Sequence, residues 1–169
     1  MIRLRALEPE DLDVLYQVEN DYRLWNVGVT NVPYSRYALH NYIVLQTGDI
    51  YTDRQVRLMM ENEEGEAVGI VDVVNFDPQH LRAELGVVVM EKYRRRGYAG
   101  EALREVIRYS VETLHLHQLY TFVDKANEAS LSLFLKMGFE KVACLRDWLF
   151  DGRQYHDTLF LQLFCEKVQ

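Results

Sequence analysis

The chain has 169 residues, 49% of them hydrophobic, which predicts one globular domain over residues 1–169 rather than a disordered chain. The formal net charge of -7 argues against nucleic acid as a partner, because general nucleic-acid binding needs a basic face. No apolar run approaches the roughly 20 residues that cross a bilayer, and nothing resembles a signal peptide, so we expect a soluble cytoplasmic protein without a membrane partner.

Short strands and amphipathic helices alternate along the chain. In chain order, the predicted elements are strand 2–7, a helix from Glu8, a helix capped by Ser35 and ending at Gly48, strands 55–61, 67–76 and 81–90, helix 97–114, strand 119–123, helix 127–137, and two strands flanking Asp151-Gly152. This order combines antiparallel hairpins with one parallel crossover. It predicts an α/β fold, with one mixed sheet of about seven strands and about four helices on its faces.

The pair Asp151-Gly152 is a strong signal for a two-residue hairpin turn. Such a turn places Cys144 opposite position 159, six residues from Cys165. Six strand residues span about 20 Å, which is too far for a disulfide bond. We therefore expect two free thiols, which fit a reducing compartment.

Segment 91–100, which lies between a predicted strand and a predicted helix, is suited to binding an anion. It contains three arginines, Arg94–Arg96, each able to bind a phosphate through two hydrogen bonds. A helix start offers unpaired N–H groups and a favourable dipole, and the small residues Gly97, Ala99 and Gly100 allow close approach. These residues predict a diphosphate site, with adenine nucleotides and coenzyme A as equal candidates. The alternative is a solvated basic turn or an interaction patch.

Two motifs resemble those of the GNAT family of N-acetyltransferases. The segment YRRRGYAGEAL over 93–103 is similar to the family's Gln/Arg-x-x-Gly-x-Gly/Ala cofactor signature, and NEASLSLFLKMGF over 127–139 resembles its second motif, Asn-x-x-Ser…Tyr-x-Lys-x-Gly-Phe. The order of elements agrees over nearly the whole chain. Within the family, the stretches IRLRALEPEDL, HLRAELGVVV and DWLFDGRQYHDTLFLQLF look closest to spermidine acetyltransferases and ribosomal-protein N-terminal acetyltransferases.

The resemblance implies an acyltransferase that moves an acetyl group directly from acetyl-CoA to a primary amine, either a polyamine-like small molecule or a protein N-terminus. The backbone of Val87–Val89 would pair with the pantetheine arm of coenzyme A like an added strand and would provide an oxyanion hole. Asn127 would contact the pantetheine arm, although an ordinary helix cap explains it as well. The implied coenzyme A contacts are Val87, Val88, Val89, Arg94, Arg95, Arg96, Gly97, Tyr98, Ala99, Gly100, Asn127, Ser130, Phe134 and Lys136.

Glu84 is the candidate general base. It lies on the strand that carries Val87–Val89 and matches a glutamate that the family has there. Partial burial would raise its pKa, which suits a base acting through water. The alternative is a strand glutamate that pairs with Arg82 or faces solvent.

Phe134 departs from the family pattern, in which a tyrosine protonates the leaving thiolate. We favour unassisted departure, because the thiol of coenzyme A resembles a cysteine thiol, with a pKa of about 8.5. A hydroxyl of Tyr120 or Tyr98 is the second explanation. The third is that the chain is a catalytically weak or inactive acyl-CoA-binding module.

The acceptor pocket is expected from residues 22–45, which contain aromatic residues but no carboxylate. A polyamine site would be expected to supply several acidic groups, so this composition argues against spermidine. The candidate acceptor residues are Trp25, Tyr34, Tyr155 and His156, for which packing is the alternative.

Two further features carry weaker hypotheses. His115 and His117 form a His-x-His pair, but no further ligands stand at zinc spacing, so we expect no metal. The terminal hairpin, rich in Leu and Phe, is a candidate surface for a homo-oligomer, and core packing explains it equally.

Overall fold

The computed structural model describes residues 1–21, 23 and 32–168, which form one seven-stranded mixed sheet with helices on both faces. The strands are β1 (Arg3–Ala6), β2 (Val56–Glu61), β3 (Ala67–Asp77), β4 (Arg82–Val89), β5 (Gln118–Asp124), β6 (Glu140–Phe150) and β7 (Tyr155–Phe164). The helices are α1 (Leu12–Glu19), α2 (Arg36–Val44), α3 (Ile50–Asp53), α4 (Tyr98–Glu112) and α5 (Glu128–Lys136). The predicted fold class is confirmed. Over the described ranges, no helix is long and apolar enough to span a membrane.

The strand order is β1-β2-β3-β4-β5-β7-β6, and only the pairing of β4 with β5 is parallel. The crossover between those two strands is α4, as the order of elements predicted. A parallel pair needs a connection of this length, because its second strand must start again at the same edge of the sheet.

Helices α4 and α5 cover one face of the sheet, and α1 and α2 cover the other. The neighbouring residues Met59 and Met60 of β2 point to opposite faces and belong to different hydrophobic clusters. The larger cluster includes Leu103 and Val106 of α4, both fully buried at helical spacing. Each such side chain contributes about 1.5–3 kcal/mol. This packing fixes the start of α4 against the end of β4.

The second predicted helix ends earlier than expected, at Val44 rather than Gly48. The N–H and the hydroxyl of Thr47 both donate to the carboxylate of Asp53, at 3.0 and 2.9 Å. Such side-chain bonds compete with helical hydrogen bonds and turn the chain. They lead into the single turn of α3, capped by Asp49, which the sequence did not predict.

The hairpin of β6 and β7 closes through a four-residue turn over 151–154, so the predicted two-residue turn is wrong. The carboxylate of Asp151 stabilises the longer turn by accepting two of its backbone N–H groups, at 2.8 and 2.9 Å. Cys144 nevertheless pairs with Leu159 as predicted, because an irregularity over 145–149 shifts the register of β6.

Candidate functional site

Strands β4 and β5 separate part-way along their length. Their parallel pairing covers residues 82–84 and 118–120 only, although β4 continues to Val89 and β5 to Asp124. Beyond this point β4 pairs with β3, and β5 pairs with β7. One edge of segment 87–89 therefore has no partner strand in the described chain, and an extended ligand can add there as a strand.

The three valines of segment 87–89 are partly exposed. Three consecutive valines in a strand predict burial on both faces, and that prediction is wrong here. The reason is the loss of β5 as a neighbour, which opens one side of the strand to solvent.

Six consecutive backbone N–H groups, those of residues 95–100, have no hydrogen-bond acceptor among the described residues. Arg95 and Gly97 both have left-handed backbone conformations, with φ of 63° and 85°. Gly97 is the N-cap of α4, and a Cβ placed on it would meet nothing within 4 Å. Free donors, open space and the dipole of a fifteen-residue helix together fit a diphosphate.

The three arginines of this junction are exposed. The Nε of Arg94 donates to the carbonyl of Val89 at 3.1 Å, which holds its guanidinium at the unpaired end of β4. Arg96 lies over the ring of Tyr93, with 5.6 Å between its Cζ and the ring centroid. Arg94 also lines a cavity of about 930 Å³ between the end of α1 and the end of β4. Three exposed arginines thus lie in the same junction as the free N–H groups.

Glu84 lies where β4 and β5 separate. Its carboxylate accepts a hydrogen bond from Nδ2 of Asn75 at 2.8 Å. Burial raises the pKa of Glu84, and the bond from Asn75 opposes that rise. The ion pair with Arg82 considered as an alternative does not form, because Arg82 pairs with Asp77 at 3.2 Å. The geometry leaves Glu84 suited to accepting a proton.

Tyr120 is the direct neighbour of Glu84 across the parallel pair. Burial raises the pKa of Tyr120, and the charge of Glu84 adds to the rise. Tyr98 lies in the first turn of α4, partly buried against the larger cluster. Phe134 is 2% exposed and meets Phe139 edge-on at 5.1 Å, so it belongs to the core, and its contact with coenzyme A stays a prediction.

The start of α5 is capped by Asn127, whose side-chain oxygen accepts the N–H of Ser130 at 3.1 Å. The amide nitrogen of Asn127 has no partner in the described part of the chain, so it can still donate to a ligand. Ser130 is partly buried, and Lys136 is exposed at the last turn of the helix. The cap is observed, and the ligand contacts of these residues stay predictions.

Of the predicted acceptor residues that the structure describes, Tyr34 lies in the smaller hydrophobic cluster, whereas Tyr155 and His156 lie in the terminal hairpin. Trp25 lies outside the described residues. Tyr34 is held to Asn20 by two hydrogen bonds of 2.7 and 3.1 Å and packs beneath α1 and α2. Tyr155 is exposed and packs against Phe150 in the terminal hairpin, with ring centroids 4.9 Å apart and ring planes tilted by 40°.

His156 forms an ion pair in the terminal hairpin. Its Nε2 lies 2.6 Å from the carboxylate of Asp151, and its Nδ1 lies 3.9 Å from that of Asp124. The hydrogen bond to Asp151 raises the pKa of His156. The His-x-His pair of His115 and His117 has no further metal ligands beside it. Residues 1–21, 23 and 32–168 contain no cluster of three or more side chains that could hold a metal ion.

Four aromatic rings, which the sequence analysis did not connect, form a row on the sheet face that carries Glu84. The centroid of Phe122 lies 5.9 Å from that of Tyr120, 5.0 Å from Phe160 and 6.5 Å from Trp148. Phe122 is 39% and Trp148 59% exposed. We call these four residues the aromatic row. The alternation of aromatic side chains within β5 is the signal that could have revealed it.

Carboxylates lie at both ends of the aromatic row. Glu84 stands beside Tyr120, and Asp124 follows Phe122 on the same face of β5. Tyr120 and Asp124 are four strand residues apart, or about 13 Å. Asn75, which holds Glu84, was also missed, since its left-handed backbone at the irregularity in β3 leaves no sequence signal.

Known proteins resemble the chain over most of its length. Residues 2–140 match a family model described as an acetyltransferase (GNAT) domain. Spermidine N(1)-acetyltransferase of Escherichia coli (strain K12) is 28% identical over 96% of this chain and 86% of that protein. The [ribosomal protein uS5]-alanine N-acetyltransferase of the same organism is 28% identical over 62% and 55%. The crystal structure of spermidine N-acetyltransferase from Vibrio cholerae in complex with CoA and spermine shares the fold, with a TM-score of 0.87 at 23% identity over 98% and 96%.

Proposed function

This chain belongs to the GNAT family of acetyltransferases, and from that premise we propose that its acceptor is a small, polyamine-like primary amine bound over the aromatic row. Membership makes it an N-acetyltransferase that uses acetyl-CoA as its donor. The observation that carries the proposal is the position of Glu84, at the separation of β4 and β5 and at one end of the aromatic row.

The groups at the end of β4 suit the donor. The free edge of segment 87–89 would hold the pantetheine arm, and the N–H groups of residues 95–100 would hold the pyrophosphate. When bound, acetyl-CoA supplies a thioester that is activated toward attack by a neutral amine. The side chains of Arg94, Arg95 and Arg96, which belong to the same junction, would neutralise the phosphate charge.

The substitution Gly97→Glu tests this donor site. It adds bulk and a negative charge at the free N–H groups, so calorimetry should detect no acetyl-CoA binding. Gly65→Glu is the matched control, because Gly65 has the same left-handed conformation, with φ of 76°, and equally open surroundings. Retained affinity in the Gly97 variant would remove the site assignment.

Glu84 would accept the proton that an ammonium group must lose before it attacks. An alkyl ammonium has a pKa of about 10.4, so a base matters for such a substrate. The carboxylate is partly buried and has no cation paired with it in the described chain, which leaves it free for the acceptor. The exposed rings of Phe122 and Trp148 can stabilise a cation by cation–π attraction.

Glu84 at one end of the aromatic row, together with the exposed rings beyond it, favours an acceptor with more than one ammonium group. The sequence placed no carboxylate in the expected pocket, and that argument against a polyamine loses its force because the acidic group Glu84 comes from another element. Glu84 would receive the reacting amine, and the exposed rings of Phe122 and Trp148 would attract a second ammonium group. Asp124 is 8% exposed and already lies 3.9 Å from Nδ1 of His156, so it is not available for that role.

An amine panel tests the acceptor. The protein is mixed with acetyl-CoA and a polyamine, a monoamine of equal length, or a peptide with a free α-amino group, and thiol release is followed. We expect the highest kcat/KM for the polyamine. A preference for the peptide would instead place the acceptor among protein N-termini, the class that the ribosomal-protein relative acts on. Donor binding without thiol release on any amine would leave only the acyl-CoA-binding module.

We further infer a single-domain cytoplasmic enzyme that associates through its terminal hairpin. Exposed apolar side chains on β6 and β7, among them Val142, Phe150 and Tyr155, support this association. Analytical ultracentrifugation of the wild type and of Phe150→Ser tests it, and a monomeric wild type would exclude it.

A further inference from the structure

We propose that Gly86 of β4 leaves an open passage through which the carbon chain of the acceptor brings its reacting amine to Glu84. This inference rests on the proposed function and deepens it, because it names the position on the sheet that admits the acceptor. A glycine has no side chain, so the surface of the strand is bare at residue 86. Any other residue would place a Cβ in the passage.

Gly86 lies between Glu84 and Val88 on one face of β4. Side chains of a strand alternate between its two faces, so residues 84, 86 and 88 share a face and follow one another at about 7 Å. Val88 lines the cavity of about 930 Å³ together with Tyr16 and Gln17 of α1. The bare position therefore lies between that cavity and Glu84.

Neither the packing nor the backbone of β4 requires a glycine at residue 86. Among the described residues, a Cβ placed on Gly86 would meet only Asp72 within 4 Å, with the Cβ of Asp72 at 3.7 Å and its Oδ2 at 3.8 Å. These are ordinary van der Waals distances. Gly86 is not among the residues with a positive φ, and it pairs with Asp72 in regular register. A glycine in such a strand is typical of a place where a ligand approaches the backbone closely.

The two carboxylates beside Gly86 are held in place by hydrogen bonds. Arg57 donates to both carboxylate oxygens of Asp72, at 2.6 and 3.1 Å, and Asn75 donates to Glu84 at 2.8 Å. The described residues form no ion pair with Glu84, so its charge is not neutralised within this part of the chain. An ammonium group above Gly86 is attracted by that charge, whereas an anion is repelled. The passage therefore suits a cationic acceptor.

Steady-state rates of thiol release in Gly86→Ala test the proposal. The added methyl group has room, so the variant should keep the Tm of the wild type and, in calorimetry, its affinity for acetyl-CoA. The kcat/KM for the amine that the wild type turns over best should fall by roughly 10–200-fold, the usual effect of one methylene group in a substrate pocket. Hydroxylamine is the matched acceptor, because its nitrogen carries no carbon chain. Its enzyme-dependent rate should stay close to that of the wild type.

Four results would contradict the proposal. An unchanged kcat/KM for the amine in Gly86→Ala would overturn it and leave the proposed function intact. Equal losses with the amine and with hydroxylamine would also overturn it, because they would assign Gly86 to the geometry of the strand. Loss of affinity for acetyl-CoA would place the added methyl group in the donor site instead. A wild type that releases thiol with no amine would overturn the proposed function, and this inference with it.

Discussion

Replacing Glu84 with glutamine removes the proposed proton acceptor and keeps the shape of the side chain. The oxygen of glutamine can still accept the hydrogen bond that Asn75 donates at 2.8 Å. Neighbouring residues of β4 keep their pairing with β3, because the substitution does not alter the backbone. The variant should therefore fold normally and bind acetyl-CoA with unchanged affinity, which calorimetry checks.

The size of the kinetic effect follows from the amine. With a pKa of about 10.4, about one alkyl amine in 2,500 is neutral at pH 7, a deprotonation cost of roughly 4.6 kcal/mol. If Glu84 takes the proton within the site, the protonated amine can bind and then react. The wild-type kcat/KM then stays level above the pKa of Glu84, which burial raises. In Glu84→Gln only the neutral amine reacts, so kcat/KM falls about tenfold for each pH unit below the amine pKa.

Initial rates of thiol release between pH 6 and pH 9.5 measure this effect. The ratio of wild type to variant should be on the order of 10²–10³ at pH 7 and shrink as pH rises. A peptide α-amine, with a pKa of about 7.7–8.0, gives an internal control, because its ratio should stay below about tenfold. Parallel pH profiles with a constant ratio would refute the role of Glu84 as base and leave it a positioning role.

Three further outcomes follow from the same groups. Asn75→Leu removes the hydrogen bond that lowers the pKa of Glu84, so the acid limb of the kcat/KM profile should move to higher pH. We do not expect Tyr120 to act as the general acid, so Tyr120→Phe should lower kcat by less than about tenfold. Loss of a general acid would lower kcat by a factor of about 10² or more. Asp151→Asn should lower the pKa of His156 in an NMR titration. The Asp151 carboxyl has its pKa lowered to about 2 from 3.8, so it stabilises above pH 3.8 and loses that effect as pH falls toward 2. The histidine has its pKa raised above 6.5, so the pair stabilises fully below pH 6.5 and less as pH rises through that raised value. The difference in Tm between wild type and Asp151→Asn should therefore be largest between about pH 4 and pH 6.5.

Local signals predicted most of the elements, and they also predicted a helix that starts at Gly97 with free N–H groups. Gly97 and the arginines before it are contiguous in the chain, and a helix start needs no distant partner to expose its N–H groups. The strands followed from alternation of apolar and polar residues. Each of these patterns depends only on residues that are close together in the chain, so it can be recognised from the sequence alone.

Features that depend on pairing between distant segments were not predictable. The partner of Glu84 was expected to be Arg82, its neighbour two positions away, but an irregularity in β3 brings Asn75 to Glu84 and Asp77 to Arg82. The aromatic row likewise joins residues of β5, β6 and β7, whose register is set by the four-residue turn and by the irregularity in β6. A shift of one residue in either strand would turn those rings to the other face.

The pKa of Tyr120 bears on the missing acid at Phe134. Burial and the neighbouring charge of Glu84 raise the pKa of Tyr120 above its ordinary value of 10.0. A thiol has a pKa of about 8.5, so transfer of the tyrosine proton to a thiolate is uphill by at least 1.5 pKa units, or about 2 kcal/mol. Tyr120 therefore keeps its proton at neutral pH and can donate a hydrogen bond, but it is a poor acid for this leaving group. The thiolate is the weaker base of the two and can depart without protonation, so Phe134 at that position is compatible with turnover.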